Sequence, residues 1–563
     1  MIFALAVSVV PSSAWAQAIN TGNVAGQVTD PQGAVVPGVK ITLTDPNTST
    51  TFSSVTNDQG RFFLANVPPA TYDVTATKSG FSTAKVSAQT ISVGTTSTIN
   101  IQMAVGQVST TVEVQASNVE LQTMNATIGN TVPAIAVNSL PAMGLDVSTF
   151  AVLQPGVSPG GQAAGTQVDQ ASFMLDGGQN TNDMDGSMTV YTGSFTGDPS
   201  GGVTGSGNLP SGVVPTPADS VEEIKTNTTN QTADFNSSSG MQVQIVTKRG
   251  TNAWHGTAYE YYLDNNFSAN TWQNNCTTAC GKSYTPQPDW HRSWFGVAGG
   301  GPLIPKRILG GKTYFFANYQ GTRWHNSGTS TKTVPGPGML QGLLEFNNKG
   351  TIDVYNLNGS AVTYNGPTLV GKCNNCALVH GTVYQPGIST PAGGSVDPTL
   401  LDPQKLGINP TVLAMWNKYV PTLLTLPGYN YAGGAGDGNT FGYTATEALP
   451  YSDNFGVARL DHDFGDKWHF FGSYRYYRLT NSVTTQTDIG GFLSGCKVGV
   501  PCSASSVPQV PWFYVAGLTT NLTPTTTNDF HWSFTRNWWA WSRAGDPAQL
   551  SGLGGALEPG GET

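Results

Sequence analysis

The sequence predicts a mainly β protein with a small β-sandwich, an α+β domain and an antiparallel β-barrel of which the chain carries only part. Short strands of alternating polarity, separated by turn residues, run through the first hundred or so residues. Residues 219–262 then pass from one alternating strand, through a turn at Lys248–Asn252, into a strand rich in aromatic side chains. Further aromatic strands follow. This change of pattern divides the chain into a soluble part and a membrane part.

The composition indicates a β-rich protein from outside the cytosol. Charged residues form only 10% of the 563 residues, and glycine contributes 68 of them. Typical soluble proteins carry roughly 25% charged residues. The formal net charge is −9 and no stretch offers a basic stripe for phosphates, so nucleic acid is not an expected partner.

Residues 1–17 are predicted to be a signal peptide. Ile2–Val10 is a short apolar core, and Ala14–Ala16 has the small-x-small pattern of a cleavage site. No positively charged segment precedes the core, so the natural start is expected to lie upstream; a buried strand is the alternative interpretation. No other run approaches the roughly 18–20 apolar residues of a membrane helix. Any membrane span must therefore be built from strands.

The six cysteines form local pairs in polar loop sequence, and small loop disulfides are predicted for an oxidising compartment. Free thiols and a metal site are the alternatives. A zinc site would require two close pairs with a short spacing between them, whereas these pairs lie far apart in the sequence. The predicted pairs are Cys276 with Cys280, Cys373 with Cys376, and Cys496 with Cys502.

Residues 20–105 are predicted to form a β-sandwich of about seven strands. Strands at Val39–Leu43 and Tyr72–Ala76 alternate, and Asn57–Gly60 is a hairpin turn. The stretches GQVTDPQGAVVPGVKITLT, TNDQGRFFLANVPPATYDVTATKSGF and INIQM resemble the carboxypeptidase regulatory-like domain. The resemblance implies a transthyretin-like sandwich, grouped with carbohydrate-binding-like folds, and it implies no peptidase activity. A spacer is the expected role, with glycan contact as the alternative.

Residues 119–250 are predicted to form an α+β domain. Leu140–Gly144 leads into a short helix that ends at Pro155–Gly156, and Ser172–Gly178 is a strand that enters a tight turn. Asp219–Lys225 precedes the closing strand. In their order and their residues, these stretches resemble the plug domain of the large Oar-like TonB-dependent receptors. The resemblance implies a plug that closes a barrel.

Residues 106–118 are predicted to be a linker. The same resemblance suggests that this linker also contains a TonB-binding segment. In such receptors a β-prone segment before the plug pairs as an added strand with the energising protein TonB. Strand addition uses main-chain hydrogen bonds and makes loose demands on sequence. The last strand of the sandwich or a plain linker is the alternative. The candidate TonB-binding residues are Thr111, Val112, Glu113 and Val114.

Residues 251–563 are predicted to form the N-terminal portion of an outer-membrane β-barrel. Short turns alternate with long loops and aromatic residues crowd the strand ends, as in barrels with lipid-facing apolar side chains and aromatic girdles. A soluble sandwich is the alternative. The predicted strands are Trp254–Tyr262, Ser293–Gly299, Lys312–Gly321, Asn454–Phe464, Trp468–Tyr477, Trp512–Leu518 and Asn528–Trp539.

The predicted strands are too few for a closed barrel. Plugged transporters of this kind close with about 22 strands, and a barrel cannot leave an open edge in lipid. The sequence ends in Pro559–Thr563, which reads as a loop. We therefore expect the sequence to be C-terminally incomplete, with most barrel strands missing.

No pattern in the sequence predicts catalysis, and no cofactor is expected. Asp461, His462 and Asp463 are adjacent, but on a strand His462 points away from the two carboxylates. Asn182–Gly186 hints at a calcium loop but lacks the acidic residue that closes one. No nucleophile elbow, zinc-protease motif or phosphate-binding loop is present. We therefore predict that the protein is not an enzyme.

These patterns and the resemblance together predict a TonB-dependent outer-membrane receptor for active uptake, with its N-terminal domain in the periplasm. The implied partners are the TonB energising complex, outer-membrane lipid and an unknown ligand, with carbohydrate as the class that the accessory domain suggests. Asp176, Gly177 and Ser238–Gly240 are interpreted as structural elements of the plug and not as ligand contacts. The alternative is an adhesion or envelope-organising protein with a carbohydrate-binding-like domain.

Overall fold

A computed structural model shows three successive β-rich parts. The residues that it describes are 20–106, 111–113, 126–139, 147–158, 162–167, 170–181, 213–230, 240–270, 272–275, 287, 289–304, 312–336, 338–348, 351–356, 363–364, 376–377, 409–423, 429–430, 439–465, 467–490, 497–506, 508–523, 526–538, 540 and 542–543. The predicted signal peptide and the calcium-like loop at Asn182–Gly186 lie outside these residues.

The first part is a β-sandwich, as predicted. One sheet has the order β4–β1–β7, with β8 also paired to β1, and the other has the order β3–β2–β5–β6–β9. Alternate side chains such as Ile41 and Leu43 are buried between the sheets, which explains the period of two in the sequence. The strands are β1 (Gly22–Thr29), β2 (Lys40–Thr44), β3 (Thr51–Val55), β4 (Arg61–Val67), β5 (Ala70–Thr77), β6 (Thr83–Ile91), β7 (Thr96–Thr98), β8 (Ile101–Gln102) and β9 (Thr111–Glu113).

The second part is an α+β plug domain around one mixed sheet of order β10–β13–β14–β11–β12. Phe173, Ile224 and Val243 belong to its apolar core, which continues into the inner face of the third part. A tight turn follows β11, in agreement with the prediction for Ser172–Gly178. The elements are β10 (Ile128–Pro133), α1 (Ala134–Ser139), a 3₁₀ helix (Val147–Leu153), β11 (Ser172–Leu175), β12 (Gly178–Gln179), a 3₁₀ helix (Ala218–Ser220), β13 (Val221–Thr229) and β14 (Gln242–Thr247).

The third part is a nine-stranded antiparallel sheet. Its strands and those of its loops are β15 (His255–Asp264), β16 (His291–Ile304), β17 (Lys312–His325), β18 (Ser327–Pro335), β19 (Leu343–Asn348), β20 (Thr351–Asn356), β21 (Thr363–Tyr364), β22 (Cys376–Ala377), β23 (Tyr429–Asn430), β24 (Thr440–Ala448), β25 (Tyr451–Phe464), β26 (Trp468–Gly490), β27 (Val498–Ser506), β28 (Trp512–Thr523), β29 (Thr526–Arg536) and β30 (Ser542–Arg543).

The large sheet is a meander that runs β15–β16–β17–β25–β26–β28–β29, with β27 and β30 attached at β26. Within the described residues the sheet is not closed, since neither β15 nor β29 has a second neighbour. Short turns join β25 to β26 and β28 to β29 at one end. The opposite end carries the long connections, with the β18–β24–β23 sheet, α2 (Trp272–Asn275), α3 (Pro410–Leu423) and 3₁₀ helices at Asn265–Phe267 and Met339–Gln341.

The two faces of the large sheet differ in polarity. In β17, Asn318, Gln320 and Thr322 are buried on the face that surrounds the plug, whereas Tyr319 is 40% exposed on the other face. The outer face is therefore the one suited to lipid. Large apolar side chains exposed on it include Trp254, Val297, Phe464, Trp468, Tyr514, Phe530, Trp532 and Phe534.

Among the described residues, no helix is both long and apolar enough to span a membrane.

Candidate functional site

The sandwich, the plug and the large sheet meet toward the end of the sheet that carries the short turns. Three groups of contacts hold them there. The Asp176 network joins the plug to the sheet. The rim contact joins the sandwich turn Asp45–Thr50 to the sheet, and the plug contact joins the sandwich turn Ser92–Thr95 to the plug. These contacts form the candidate site, because any movement of the plug relative to the sheet must break some of them.

The Asp176 network is a buried cluster of charges. The Asp176 carboxylate accepts hydrogen bonds from the Thr247 amide at 2.8 Å and the Thr247 hydroxyl at 2.5 Å. From the sheet, Arg459 Nη1 lies 3.3 Å and Arg475 Nη2 lies 3.7 Å from the same carboxylate. Arg459 also pairs with Asp461 at 2.8 Å. Two arginines thus face two carboxylates, so the buried charges are balanced.

Local backbone geometry carries Asp176 to this position. The chain turns sharply after β11, where φ is 49° at Asp176 and 80° at Gly177. Aspartate and glycine tolerate such left-handed values better than other residues. The Asp176 amide donates to the Ile245 carbonyl at 2.9 Å, which ties the turn to the parallel neighbour β14. The carboxylate is therefore held at the edge of the plug, facing the sheet.

The arginines come from adjacent strands, Arg459 from β25 and Arg475 from β26, and both face inward. Arg459 donates to the Thr247 carbonyl at 2.9 Å and lies over the Phe471 ring, 4.9 Å from its centroid. Arg475 donates to the hydroxyls of Thr247 and, at 3.3 Å, Thr216. Each arginine is thus bound by plug groups on more than one side. Removing the plug would leave Arg459 with Asp461 as its counter-charge, and it would take the plug carboxylate away from Arg475.

The rim contact is built on a turn that Asp45 organises. Its carboxylate accepts from the Asn47 amide at 2.8 Å and the Thr48 hydroxyl at 2.7 Å, as in an Asx turn. The same carboxylate, 1% exposed, receives Arg249 Nη2 at 2.5 Å. Arg249 lies in the segment between β14 and β15, so this ion pair ties the sandwich to the joint between plug and sheet.

Further contacts extend the rim contact along the sheet. Lys312 Nζ donates to the Thr48 carbonyl at 2.8 Å, and the Thr50 hydroxyl donates to Asp463 at 2.7 Å. His469 lies 2.7 Å from Asp463 and packs on Phe52 with ring centroids 4.9 Å apart. A cavity of about 50 Å³ adjoins them; its polar lining includes Asn20, Thr21, Thr50, Arg249 and Asp463. A cavity of this size has room for an ordered water beside these polar groups.

The plug contact is smaller than the rim contact. The Glu223 carboxylate of β13 accepts a hydrogen bond from the Val93 amide, and Lys225 Nζ donates to the Gly94 carbonyl at 2.5 Å. Val93 is fully buried. Gly94 has a φ of +60°, and a Cβ there would lie 3.0 Å from both Lys225 Nζ and Gln244 Oε1. Glycine suits this position because it adopts the left-handed backbone without strain, and a larger residue would require the Lys225 and Gln244 side-chain ends to shift.

Burial sets the protonation of Glu223. It raises the pKa of the Glu223 carboxyl to about 7, against the opposing hydrogen bond from the Val93 amide, and the neighbouring Glu222 charge adds to the rise. The carboxyl of Glu222 also has a raised pKa because it is buried, although Arg249 and Lys248 partly oppose this. The plug contact therefore includes a group that ionises near neutral pH.

Comparison with known families identifies the large sheet. The family model described as Outer membrane beta barrel domain matches residues 246–562, which is more than half of the chain. The chain belongs to this outer-membrane β-barrel family. The family places the protein in the outer membrane, and the short-turn end of a bacterial barrel faces the periplasm. The Carboxypeptidase regulatory-like domain model matches residues 23–104, in agreement with the predicted resemblance of the sandwich.

Individual proteins are also similar to parts of the chain. The chain is 24% identical over 331 residues to the TonB-dependent transporter Oar of Myxococcus xanthus, covering 56% of this chain and 28% of that protein. It thus spans less than a third of this curated relative. Among solved structures, it is similar to the outer membrane transporter YddB of Escherichia coli, with 8% identity, a TM-score of 0.39, and coverage of 73% of this chain and 39% of that one. The siderophore receptor PirA of Pseudomonas aeruginosa matches with 9% identity, a TM-score of 0.21, and coverage of 73% and 57%.

In this outer-membrane barrel protein, the candidate TonB-binding residues lie beside the sandwich. Thr111–Glu113 forms β9, which pairs in parallel with β6, Thr111 opposite Thr83 and Glu113 opposite Lys85. Val114 lies outside the described residues. The predicted alternative of a last sandwich strand thus describes the position of β9, while TonB binding stays a prediction.

The cysteine predictions are only partly covered by the described residues of the barrel protein. Cys502 on β27 is disulfide-bonded. Cys376 forms part of β22. The pairing scheme stays a prediction, because the remaining members lie outside the described residues: Cys276, Cys280, Cys373 and Cys496.

The acidic motif of the barrel is structural. Asp461 pairs with Arg459, Asp463 pairs with His469, and His462 bonds to Thr313 at 2.7 Å from the opposite face of β25. The described residues contain no cluster of three or more side chains suited to a metal ion.

Sequence reasoning did not find the partners of Asp176 in the barrel protein. The sequence indicates only a structural role for Asp176, whereas the structure places its carboxylate at the centre of the contact between plug and barrel. The signal that could have found the partners is the pair of inward-facing arginines, Arg459 and Arg475, because a charged side chain on the lumen face of a strand requires a counter-charge.

The ionisation of Glu223 predicts that the stability of the barrel protein depends on pH. A carboxyl whose pKa rises from 4.5 unfolded to about 7 folded stabilises the fold fully below pH 4.5, and this stabilisation is lost as pH rises through about 7. The loss is roughly 3 kcal/mol. We expect Glu223→Gln to remove this dependence. The melting temperature of the wild type should therefore fall more steeply between pH 5 and pH 8 than that of the variant. Parallel melting curves across this range would contradict the assignment.

Proposed function

We propose that this protein is a TonB-dependent outer-membrane transporter whose plug is displaced to let a ligand through. The observation that carries the proposal is the Asp176 network, in which the plug is held against the barrel wall by paired charges and hydrogen bonds. Polar groups of this kind can exchange their partners for water, so the contact can break and form again. The similarity to a transporter named as TonB-dependent supports the same function.

Energy for displacement would come from a partner. The sequence carries no phosphate-binding loop, so we assign the driving force to TonB acting on Thr111–Val114. An edge strand offers main-chain donors and acceptors to an added strand. In this proposal the protein is a transporter and not an enzyme. A glycan is the ligand class that we propose, supported only by the resemblance of the sandwich to carbohydrate-binding-like folds.

Replacing residues 108–116 with a Gly/Ser linker of equal length tests the function. We expect the full-length protein to lose binding of the purified periplasmic domain of TonB, and cells to lose uptake of a fluorescently labelled oligosaccharide mixture. Surface binding of the same mixture should persist. A matched control replaces an equal number of residues in the long β15–β16 loop. Unchanged TonB binding would overturn the proposal, and retained adhesion in cells that never take up the probe would favour the adhesion alternative.

A further inference from the structure

The sandwich touches both bodies that must separate if the plug moves. Turn Asp45–Thr50 binds the barrel rim and turn Ser92–Thr95 binds the plug strand β13. A domain that served only as a spacer would need neither contact. The sandwich instead bridges plug and barrel, and the plug cannot leave the barrel until one of the two contacts breaks.

The two contacts differ in strength. The rim contact contains the buried Asp45–Arg249 ion pair, the Lys312 and Thr50 hydrogen bonds, and the packing of Phe52 on His469. Breaking a buried ion pair is strongly destabilising, because each charge loses its counter-charge. The plug contact has fewer polar partners, and Glu223 is stable there mainly in its neutral form. Under load, the plug contact should therefore break first.

The position of β9 gives that load a direct route. β9 pairs in parallel with β6, and β6 runs from Thr83 to Ile91 straight into the turn that the plug holds. A pull on β9 is carried by main-chain hydrogen bonds to β6, and from β6 to Val93 and Gly94. The load thus reaches Glu223 and Lys225 through one strand.

We propose that the sandwich is a force-bearing clasp on the plug: a pull on β9 opens the plug contact through β6, while the rim contact keeps the sandwich on the barrel. The clasp holds the plug in place until the segment is pulled. This inference deepens the proposed function and rests on it for the source of the pull, although the mechanical claim can be tested without TonB.

Single-molecule pulling on the full-length protein in detergent tests the clasp. One handle is attached through an azide-bearing residue at position 113, and the other at the exposed Ser268 on the long-loop end of the barrel. We expect a first rupture before any extension of the plug. Lys225→Ala should lower the force of this rupture by about a third or more, because it removes the bond to the Gly94 carbonyl. Lys40→Ala, at an exposed position on β2 outside both contacts and outside β6 and β9, is the matched lysine control and should leave the force unchanged.

Two disulfide locks decide which contact opens. Ser92→Cys with Glu223→Cys closes the plug contact, and Thr50→Cys with Asp463→Cys closes the rim contact; mass spectrometry confirms each bond. The clasp predicts that oxidising the first pair abolishes the early rupture and that oxidising the second leaves it intact. The clasp would be overturned if oxidising the Thr50–Asp463 pair alone abolished the early rupture. It would also be overturned if Lys225→Ala ruptured at the same force as the wild type. Because the pulling experiment contains no TonB, a failed TonB-binding assay does not bear on the clasp, and the reverse also holds.

Discussion

Replacing Asp176 with alanine is expected to weaken the hold of the barrel on the plug by about 3–5 kcal/mol. The carboxylate is fully buried, and its loss leaves Arg475, also fully buried, without its counter-charge. Arg459 keeps Asp461 but loses its plug partner. The expected signs are a lower melting temperature of the plug transition in detergent and faster tryptic cleavage within the plug.

Two further variants separate charge from shape. Asp176→Asn keeps the left-handed backbone and most of the volume but removes the charge, so it should show most of the loss. Adding Arg475→Met removes one uncompensated guanidinium, and the double variant should recover at least about 1 kcal/mol relative to the additive expectation. If Asp176→Asn melts like wild type, or the double variant is strictly additive, the Asp176 network does not hold the plug through charge.

Arg249→Ala is expected to detach the sandwich from the barrel rim at a cost of about 3 kcal/mol. The cost is high because Asp45 stays buried without its counter-charge; the two residues lie 204 positions apart and meet at 2.5 Å. Labels placed on the sandwich and on the barrel should report a longer distance by energy transfer. The sandwich and the plug, which precede Arg249 in the chain, should also be cleaved faster by protease.

The chain offers a rescue and a matched control for Arg249. Asp45→Asn combined with Arg249→Met removes both charges and should restore most of the docking, since no buried charge is left without its counter-charge. Lys85→Ala breaks an ion pair with Asp73 in which both side chains are partly exposed, and it should change stability by less than about 0.5 kcal/mol. Equal losses in Lys85→Ala and Arg249→Ala would show that burial of the pair is irrelevant.

Local periodicity located the strands but not their full lengths. The sequence predicts a strand at Trp468–Tyr477, and the strand runs from Trp468 to Gly490. Side chains in its first half point alternately to the outer face and to the plug, and this produces an alternating pattern in the sequence. Beyond Tyr477 the strand continues in largely polar sequence toward the long-loop end, where neither face needs apolar residues. Likewise Ser293–Gly299 lengthens to His291–Ile304, because a glycine run and a proline conceal its end.

The contacts that make the candidate site were beyond sequence reasoning. Asp176 and Arg459 are 283 positions apart, and Thr50 and Asp463 are 413 apart. No local period links such residues, and each taken alone has an ordinary explanation as a surface charge or a turn residue. Glu223 and Lys225 likewise read as an alternating polar strand face, and their partners Val93 and Gly94 lie 130 and 131 positions away.

The order of the parts can be read from the amino-acid pattern: a sandwich, a plug and barrel strands, with a change of pattern across Lys248–Asn252. Alternation, turn residues and aromatic content are local properties, so they are legible in one chain. The long-range packing, in contrast, is what brings Arg249, inside that change of pattern, to Asp45 of the sandwich and places β9 as an edge strand on β6. Those pairings depend on how three folded bodies pack, and packing brings together residues whose separation in sequence carries no signal.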